Sequence, residues 1–195
     1  LFSVSEDEVP TSEMRRLAKT VNFAVLYGAS AYGISSRVQG VSRAQAEEFI
    51  DKYFKVYAGL ARYLEQIIAE TRKTGLVRNE IGRVRLLPEI NSSQFQVRSA
   101  AERAAINMPF QSMNADIIKM AMNQLAEESL TTRDDCRLLL QVHDELLLEI
   151  AENMVEKYAG KIVEIMENVY KLKVPLVASA KAGENWLEME KIDNR

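Results

Sequence analysis

Apolar residues recur every three to four positions through most of the chain, and this spacing is typical of amphipathic helices. Shorter runs of adjacent or alternating apolar residues separate the helical stretches and are typical of strands. The helical spacing predicts helices over 12–28, from Ser42 towards Gly59, from Leu60 to Gly75, from Ser92 or Ser93 to about Met108, from about Asn114 to Leu130, and from Met154 to Tyr170.

Capping and breaking residues fix several of these helix ends. Thr11 or Ser12 can cap the first helix, and Gly28 can close it. The stretch 42–45 has the pattern of a capping box at a helix N-terminus. Pro109 predicts an interruption, because proline lacks the N–H that an interior helical residue donates.

Strand patterns fall in three places. Residues 76–87 predict a hairpin that turns at 79–82, and residues 137–150 predict a second strand–turn–strand unit. A last strand is predicted over 174–180, with Trp186 as an apolar anchor near the end of the chain. Long helices separated by antiparallel hairpins predict an α+β fold and not an alternating parallel one.

Composition narrows the class of protein only slightly. The chain has 195 residues, of which 47% are hydrophobic and 27% charged, and this is typical of a globular domain with a real core. The net charge of −3 argues weakly against nucleic-acid binding, but the surface that binds nucleic acid is local. The single cysteine, Cys136, excludes an internal disulfide, and no apolar run has membrane-spanning length. We therefore expect a cytoplasmic protein without a membrane partner.

Two cations and two aromatic side chains form a row along the first predicted helix. They are Arg15, Lys19, Phe23 and Tyr27. Residues four apart share a helix face, so the four side chains form one slowly drifting row. Cations near the positive end of the helix dipole suit an anion as large as a triphosphate, and flat rings suit a sugar and a base. The alternative is an ordinary amphipathic helix whose cations face solvent.

The pattern RxxxKxxxFxxxYG over residues 15–28 resembles the nucleotide-binding helix of the family A DNA polymerases. The resemblance implies that Arg15 and Lys19 hold the phosphates of the incoming deoxynucleotide. It also implies that Phe23 lies against the sugar and that Tyr27 stands where the template base must stack. Four side chains and a glycine match in register, which makes this motif specific.

A second motif, QVHDE at 141–145, lies between two apolar runs and predicts a tight turn that carries acids. Adjacent acids at a buried turn need a compensating cation, and a hard divalent ion with oxygen ligands would provide it. At an exposed turn the same acids would be ordinary. QVHDE resembles the palm motif of the same family, which implies that Asp144 binds metal, that Glu145 assists and that His143 lies against the primer end.

The stretch AAERAAINMPFQSMNADIIKMAM resembles the family segment at the minor groove of the primer–template duplex. The resemblance implies DNA-binding roles for Arg103, Asn107 and Gln111. Such groups can read minor-groove acceptors, which the base pairs present in similar positions. The alternative is that they are polar residues of a helix surface. Ser112 and Met113 depart from the family pattern, which more often has Gly followed by a small residue.

Three arginines mark the predicted hairpin over 76–87. They are Arg78, Arg83 and Arg85. Guanidinium groups bind phosphate oxygens well, so a contact with the phosphates of DNA is one interpretation. Solvated cations on an exposed hairpin are the other.

The resemblance covers nearly the whole chain and implies part of a right-hand polymerase. Residues 1–90 would form the mainly helical fingers subdomain, with the nucleotide-binding helix at 12–28. Residues 91–195 would form the later part of the palm, with the metal-binding hairpin at 137–150 in an antiparallel sheet.

The implied reaction is template-directed nucleotidyl transfer from a dNTP to a primer 3′-hydroxyl, with two Mg²⁺ ions. The catalytic residues would be Lys19, Asp144 and Glu145, with Asp144 as a metal ligand. The implied partners are primer–template DNA, dNTP and the remainder of the polymerase chain, which holds the upstream palm and the thumb. Such an enzyme is bacterial, cytoplasmic and associated with the nucleoid.

One element of the family pattern does not occur in this sequence. The family's other metal-binding aspartate lies before the fingers helix in a DYSQIE-like motif, which is absent here. We therefore expect a polymerase fragment that is inactive alone. Two other classes remain open: a non-catalytic DNA-binding module derived from a polymerase, and an unrelated helical enzyme with a coincidental cationic row.

Overall fold

The computed structural model describes residues 11–38 and 40–192, and within 12–17 it describes the backbone alone. By its internal contacts the chain forms two compact units, Leu1–Gln111 and Ser112–Arg195. The predicted division into fingers over 1–90 and palm over 91–195 refers to function, and it stays a prediction.

Four helices open the first unit. They are α1 at Ser12–Leu26, α2 at Ala31–Ser35, α3 at Arg43–Val56 and α4 at Ala58–Thr74. The predicted capping box is confirmed at α3, where Ser42 Oγ accepts from Gln45 N and Gln45 Oε1 accepts from Ser42 N. Gly75 ends α4 in the left-handed region with φ 72°, where a side chain would be strained.

The apolar faces of α1, α2 and α3 meet in one core. Its buried members are Val21, Val25, Ala31, Ile34, Val38 and Ala46. They recur at helical spacing on α1 and α2, and their burial removes apolar surface from water, which is the main stabilising contribution. The core therefore fixes which face of α1 points outward.

The predicted hairpin follows α4 in the first unit. Strand β1, Leu76–Arg78, pairs antiparallel with β2, Val84–Leu86, and Leu76 lies opposite Leu86. Gly82 has φ 98°, and Asn79 Oδ1 accepts hydrogen bonds from the backbone N–H groups of the turn. A second core lies beneath this hairpin, and its buried members are Val77, Leu87, Ile90, Ala101, Ala105 and Met108.

A single helix, α5 at Phe95–Glu127, replaces the two helices that the sequence predicted. Pro109 lies inside this helix, so the predicted interruption is wrong. Proline removes one helical hydrogen bond, and a helix interior tolerates that loss where packing compensates it. Ala105 and Met108 are both buried and supply such packing. Ser112 and Met113, which depart from the family pattern, both lie in the continuous helix α5.

A small sheet and a helix form the second unit together with the end of α5. The sheet has the order β3-β4-β5, and the strands are β3 at Thr132–Arg133, β4 at Cys136–Val142 and β5 at Glu145–Ile150. Helix α6 at Val155–Asn168 follows. The core contains the buried residues Leu125, Leu130, Cys136, Tyr158, Ile162 and Ile165. The hairpin and the helix therefore agree with the prediction.

Two predictions for the end of the chain are wrong. Residues 174–180 form no strand, and the described strands that follow are β6 at Lys181–Ala182 and β7 at Glu190–Lys191. Trp186 is 54% exposed and does not act as an anchor. Strands need partners for their backbone groups, and Val177 is 84% exposed, so the apolar pattern here lacks a covering element in the described part of the chain.

Helices, small antiparallel sheets and short connections make this an α+β fold, as predicted. The antiparallel pairs are β1 with β2, β3 with β4, β4 with β5 and β6 with β7. None of the helices within the described ranges combines the length and apolarity that a membrane crossing requires.

Candidate nucleotide and metal sites

The outward face of α1 carries the residues predicted to bind a nucleotide. Lys19 is exposed, Phe23 is 50% exposed, and the ring of Tyr27 lies partly covered. The Phe23 and Tyr27 rings are stacked, with centroids 6.0 Å apart and planes 19° apart. The side chain of Arg15 lies outside the described residues, although its backbone belongs to α1. The structure thus brings a cation and two parallel rings onto one solvent-facing surface.

Gly28 closes this helix as the sequence predicted. It has φ 70°, its N–H donates to Val25 O at 3.0 Å, and Ala29 N donates to Ala24 O at 2.8 Å. These two bonds are those of a Schellman motif, which satisfies the last carbonyls of a helix. Only glycine takes this backbone conformation without strain, so the motif fixes where the chain leaves α1.

The C-terminal end of α1 lies against α5 within the first unit. A Cβ at position 28 would stand 3.3 Å from Arg103 Cγ and 3.8 Å from Ile106 Cδ1, so Gly28 also permits this close approach. Arg103 Nη1 donates to Ser99 Oγ at 2.7 Å, one helical turn away. The structure therefore places Arg103 next to the C-terminal end of α1. The sequence had pointed to these two features separately.

Arg103, Asn107 and Gln111 recur at four-residue spacing along α5. Arg103 and Gln111 are exposed, while Asn107 is half-buried. The Oδ1 atom of Asn107 is fully buried and has no hydrogen-bond partner. A buried acceptor without a partner costs about 1–3 kcal/mol, and such a cost is typical of positions kept for function. No signal in the sequence marks this orphan acceptor.

The predicted acidic turn is the loop between β4 and β5. Val142 pairs with Glu145, so His143 and Asp144 form a two-residue hairpin loop. His143 has φ 54°, which is uncommon for a residue with a side chain. The side-chain amide of Gln141 donates to the backbone carbonyl of His143. The sequence located this turn correctly but gave no sign of the left-handed residue.

The acids of this turn are exposed. His143, Asp144 and Glu145 all face solvent, so the cost of burying adjacent acids does not arise here. Exposed carboxylate oxygens are hard donors of the kind that Mg²⁺ takes. Within the described ranges no three His, Cys, Asp or Glu residues cluster in a way that could hold a metal ion. The carboxylate of Asp144 is thus chemically compatible with Mg²⁺, and its role as a metal ligand stays a prediction.

The hairpin that carries the turn has an uncovered apolar surface. The register of β4 against β5 shifts between Leu138 and Leu140, which marks a β-bulge. Leu139 at the shift and Leu140 just after it are 52% and 50% exposed. In the described sheet β5 is an edge strand, so its outer backbone groups have no strand partner.

A polar cluster at the base of this hairpin was not predicted. Asp135 accepts hydrogen bonds from Tyr158 Oη at 2.8 Å and from Arg133 Nε at 2.9 Å. The Tyr158 hydroxyl, and then the Arg133 guanidinium, hold the pKa of Asp135 below its usual range. The same hydrogen bond raises the pKa of Tyr158. Burial raises the pKa of the Cys136 thiol, which keeps it a neutral core residue.

An open groove of about 960 Å³ lies between α1 and α3, and the sequence gave no sign of it. Lys19, Phe49, Tyr53 and Tyr57 are among the residues that line it. The Tyr53 hydroxyl donates to Asn22 Oδ1 at 2.7 Å and ties the two helices together, and burial raises the Tyr53 pKa. Phe23 and Tyr27 do not line this groove, whereas Lys19 borders both the groove and the stacked-ring surface.

The three arginines of the first hairpin differ in their surroundings. Arg78 Nη1 donates to Gly82 O at 3.1 Å and closes the turn, which gives it a structural contact. Arg83 and Arg85 are exposed. The predicted contact with phosphates stays a prediction for all three.

Comparison with known proteins shows the family to which this chain belongs. The model of DNA polymerase family A matches residues 1–188, so the chain belongs to this family. The resemblance inferred from the motifs is therefore confirmed.

Similar proteins agree with this family. The chain is 45% identical over 188 residues to DNA polymerase I of Bacillus caldotenax, covering 96% of this chain and 21% of that protein. It is 43% identical over 192 residues to DNA polymerase I of Pseudomonas aeruginosa, covering 96% and 20%. A solved structure, the POL domain of Pol1 from M. smegmatis in complex with DNA primer-template and dNTP, matches with a TM-score of 0.80 and 42% identity. That match covers 90% of this chain and 30% of the solved chain. The chain thus spans about a fifth of the length of the curated relatives it matches.

Proposed function

We propose that this chain forms the fingers and the later part of the palm of a template-directed DNA polymerase. The observation that carries the proposal is the outward face of α1. There an exposed Lys19 precedes the stacked rings of Phe23 and Tyr27, and Gly28 closes the helix against Arg103. Family membership supports the reaction class, and the M. smegmatis relative was solved with DNA primer-template and dNTP.

In this proposal the face of α1 binds the incoming dNTP. Lys19, with Arg15 one turn earlier in sequence, neutralises the triphosphate, since charge-assisted hydrogen bonds to phosphate are stronger than neutral ones. The Phe23 ring packs on the sugar, and Tyr27 lies where the template base stacks. The buried side of α1, which includes Val21 and Val25, holds these groups in a fixed orientation.

The polar row of α5 binds the primer–template duplex in this proposal. Arg103, Asn107 and Gln111 reach hydrogen-bond acceptors in the minor groove. Every base pair presents such acceptors in similar positions. Contacts of this kind test the geometry of a base pair without selecting its sequence.

Asp144, assisted by Glu145, holds Mg²⁺ in this proposal. When bound, two such ions activate the primer 3′-hydroxyl and stabilise the leaving pyrophosphate. His143 lies beside the acid and contacts the primer end. The exposure of the turn leaves these side chains accessible to DNA and to metal.

The chain supplies an incomplete site in this proposal and does not polymerise DNA alone. The described residues contain no cluster of three metal-binding side chains, and the relatives are about five times longer than the matched segment. A partner aspartate and the thumb come from the remainder of the polymerase. The partners in this proposal are primer–template DNA, dNTP and the remainder of the polymerase chain.

A chimera tests the proposal. Residues 1–188 of this chain replace the matching segment of the B. caldotenax polymerase, whose identity over this span is 45%. We expect Mg²⁺-dependent primer extension, and we expect Asp144→Asn to abolish it. Asp134→Asn is the matched control, because Asp134 is an exposed acid of the same unit whose contact is Arg137.

The outcomes separate the two functional classes. Extension that survives Asp144→Asn contradicts the metal role of this acid. A chimera that binds primer–template normally and never extends it favours the non-catalytic DNA-binding module instead. Extension by the purified 195-residue chain alone contradicts the incomplete site.

A further inference from the structure

The turn between β4 and β5 holds a residue in an unfavourable conformation. His143 has φ 54°, in the left-handed region that residues other than Gly seldom adopt, although His, like Asn and Asp, is found there more often than most. The loop has only two residues, since Val142 and Glu145 already pair, and tight hairpin loops usually place glycine or asparagine at such positions. The conformation therefore needs support from outside the loop.

Gln141 supplies a contact that can give this support. Its side-chain Nε2 donates to the backbone carbonyl of His143. Gln141 is exposed and pairs with Leu146 in the ladder, so no burial forces its side chain towards the turn. Within the described part of the chain, this side chain therefore reaches back from β4 to the backbone of the loop.

The position of this carbonyl matters for Asp144. The carbonyl of His143 belongs to the peptide group that joins His143 to Asp144, and a peptide group is planar. A hydrogen bond to this carbonyl restrains the whole peptide plane, and the Asp144 Cα atom lies in that plane. The Gln141 hydrogen bond therefore restrains one of the elements that set the direction of the Asp144 carboxylate.

We propose that Gln141 is a positioning residue that holds the His143–Asp144 peptide and thereby aims the Asp144 carboxylate. The inference deepens the proposed function, because it rests on Asp144 as the metal-binding acid. Partners that orient a metal ligand through a hydrogen bond affect metal affinity about 10–100-fold. Gln141 acts in this way through the backbone and touches no substrate.

Histidine-selective labelling tests the conformational step on the 195-residue chain. His143 is its only histidine, so a ¹³C,¹⁵N-histidine label reports on this turn alone. We expect Gln141→Met, which keeps the length of the side chain and loses the donor, to shift and broaden the His143 backbone signals. Gln66→Met on α4 is the matched control, because Gln66 is an exposed glutamine of the other unit. His143 signals that coincide in the parent and in Gln141→Met overturn the proposal.

Paramagnetic broadening by Mn²⁺ tests the consequence for the acid without any activity assay. We expect half-broadening of the His143 signals to need about tenfold more Mn²⁺ in Gln141→Met than in the parent or in Gln66→Met. Asp144→Asn, measured alongside, should remove the broadening. If Asp144→Asn removes it and Gln141→Met leaves it unchanged, the positioning role is overturned.

The same series separates this inference from the proposed function. If Mn²⁺ broadens His143 equally in the parent and in Asp144→Asn, the metal role of Asp144 falls, and with it the positioning role that depends on it. The shift of the His143 signals in Gln141→Met would then still show that the amide holds the turn. A shifted signal together with weaker Mn²⁺ broadening supports both parts.

Discussion

The outward face of α1 and the acidic turn between β4 and β5 differ in how completely the surrounding residues support them. α1 buries Val21 and Val25 in a core that α2 and α3 complete, and a Schellman motif closes its end. The acidic turn lies on a hairpin whose outer strand is an edge and whose Leu139 and Leu140 are half exposed.

This difference indicates which site the chain can build from its own residues. A helix satisfies its backbone groups internally and needs neighbours only along one side, whereas a strand needs a partner at each edge. The α1 face is therefore supported locally, while the hairpin leaves apolar surface uncovered within the described residues. Unpaired edges with apolar neighbours favour association, so we expect the isolated chain to self-associate.

The largest expected effect is a loss of catalytic efficiency on substitution of Lys19, on the outward face of α1. In the chimera we expect Lys19→Ala to lower kcat/KM for dNTP about 10–100-fold, because hydrogen bonds to charged groups contribute about 1.5–3 kcal/mol. Steady-state primer extension measures this, and the Kd for primer–template should not change. Lys55→Ala, at an exposed lysine of α3, is the control. An equal loss of dNTP and DNA affinity would contradict a phosphate contact on the free nucleotide.

Stability measurements on the chain alone compare the buried side of α1 with the exposed apolar residues of 174–180. Val25 is 3% exposed, and Val25→Ala should lower the free energy of unfolding by about 2 kcal/mol, as expected for buried methyl groups. Val177 is 84% exposed, and Val177→Ala should change the free energy of unfolding by less than about 0.5 kcal/mol. Urea unfolding measures both. Similar losses for the two variants would show that residues 174–180 are covered in solution.

Sequence rules worked best where a structural signal is local. The Ser42 capping box, the closing Gly28 and the turn at Gly82 all depend on neighbours within a few residues, and each is found as predicted. The face of α1 also follows from spacing alone. The roles of its side chains, however, came from family resemblance and not from the spacing.

Features set by distant residues could not be predicted. The Asn22–Tyr53 and Asp135–Tyr158 hydrogen bonds join residues 31 and 23 positions apart, and no local pattern marks them. Pro109 was expected to break a helix, but buried packing maintains α5 through it. Val177 has a strand-like pattern, yet a strand forms only where a partner is present.

A substitution at Phe23 tests how completely α1 shapes its own site. In the chimera we expect Phe23→Tyr to raise incorporation of dideoxynucleotides relative to deoxynucleotides by about 3–10-fold. The added phenol hydroxyl can replace the missing 3′-hydroxyl with a hydrogen bond of about 0.5–1.5 kcal/mol. Competitive primer extension measures the ratio, and Tyr32→Phe, at an exposed ring of α2, is the control. An unchanged ratio would argue against a sugar contact at Phe23.

The smallest effect concerns the base of the acidic hairpin, where Asp135 lies. Its pKa is lowered first by the Tyr158 hydroxyl and then by Arg133, so the folded state favours the charged carboxylate. A lowered folded pKa gives stability that is present above the unfolded pKa of about 3.9 and is lost as the pH falls through the folded pKa.

Tyr158→Phe removes the principal donor to Asp135 and leaves a ring of similar size. We expect the parent to exceed this variant in the free energy of unfolding at pH 5–7, and we expect the difference to shrink as the pH falls below about 4. Urea unfolding at several pH values measures it, and Asp134→Asn, at the exposed neighbouring acid, should show no such pH-dependent change. If the difference in the free energy of unfolding stays constant down to pH 2.5, Tyr158 stabilises the hairpin by packing alone. The hydrogen bond to Asp135 would then not support β4, the strand that leads to the turn.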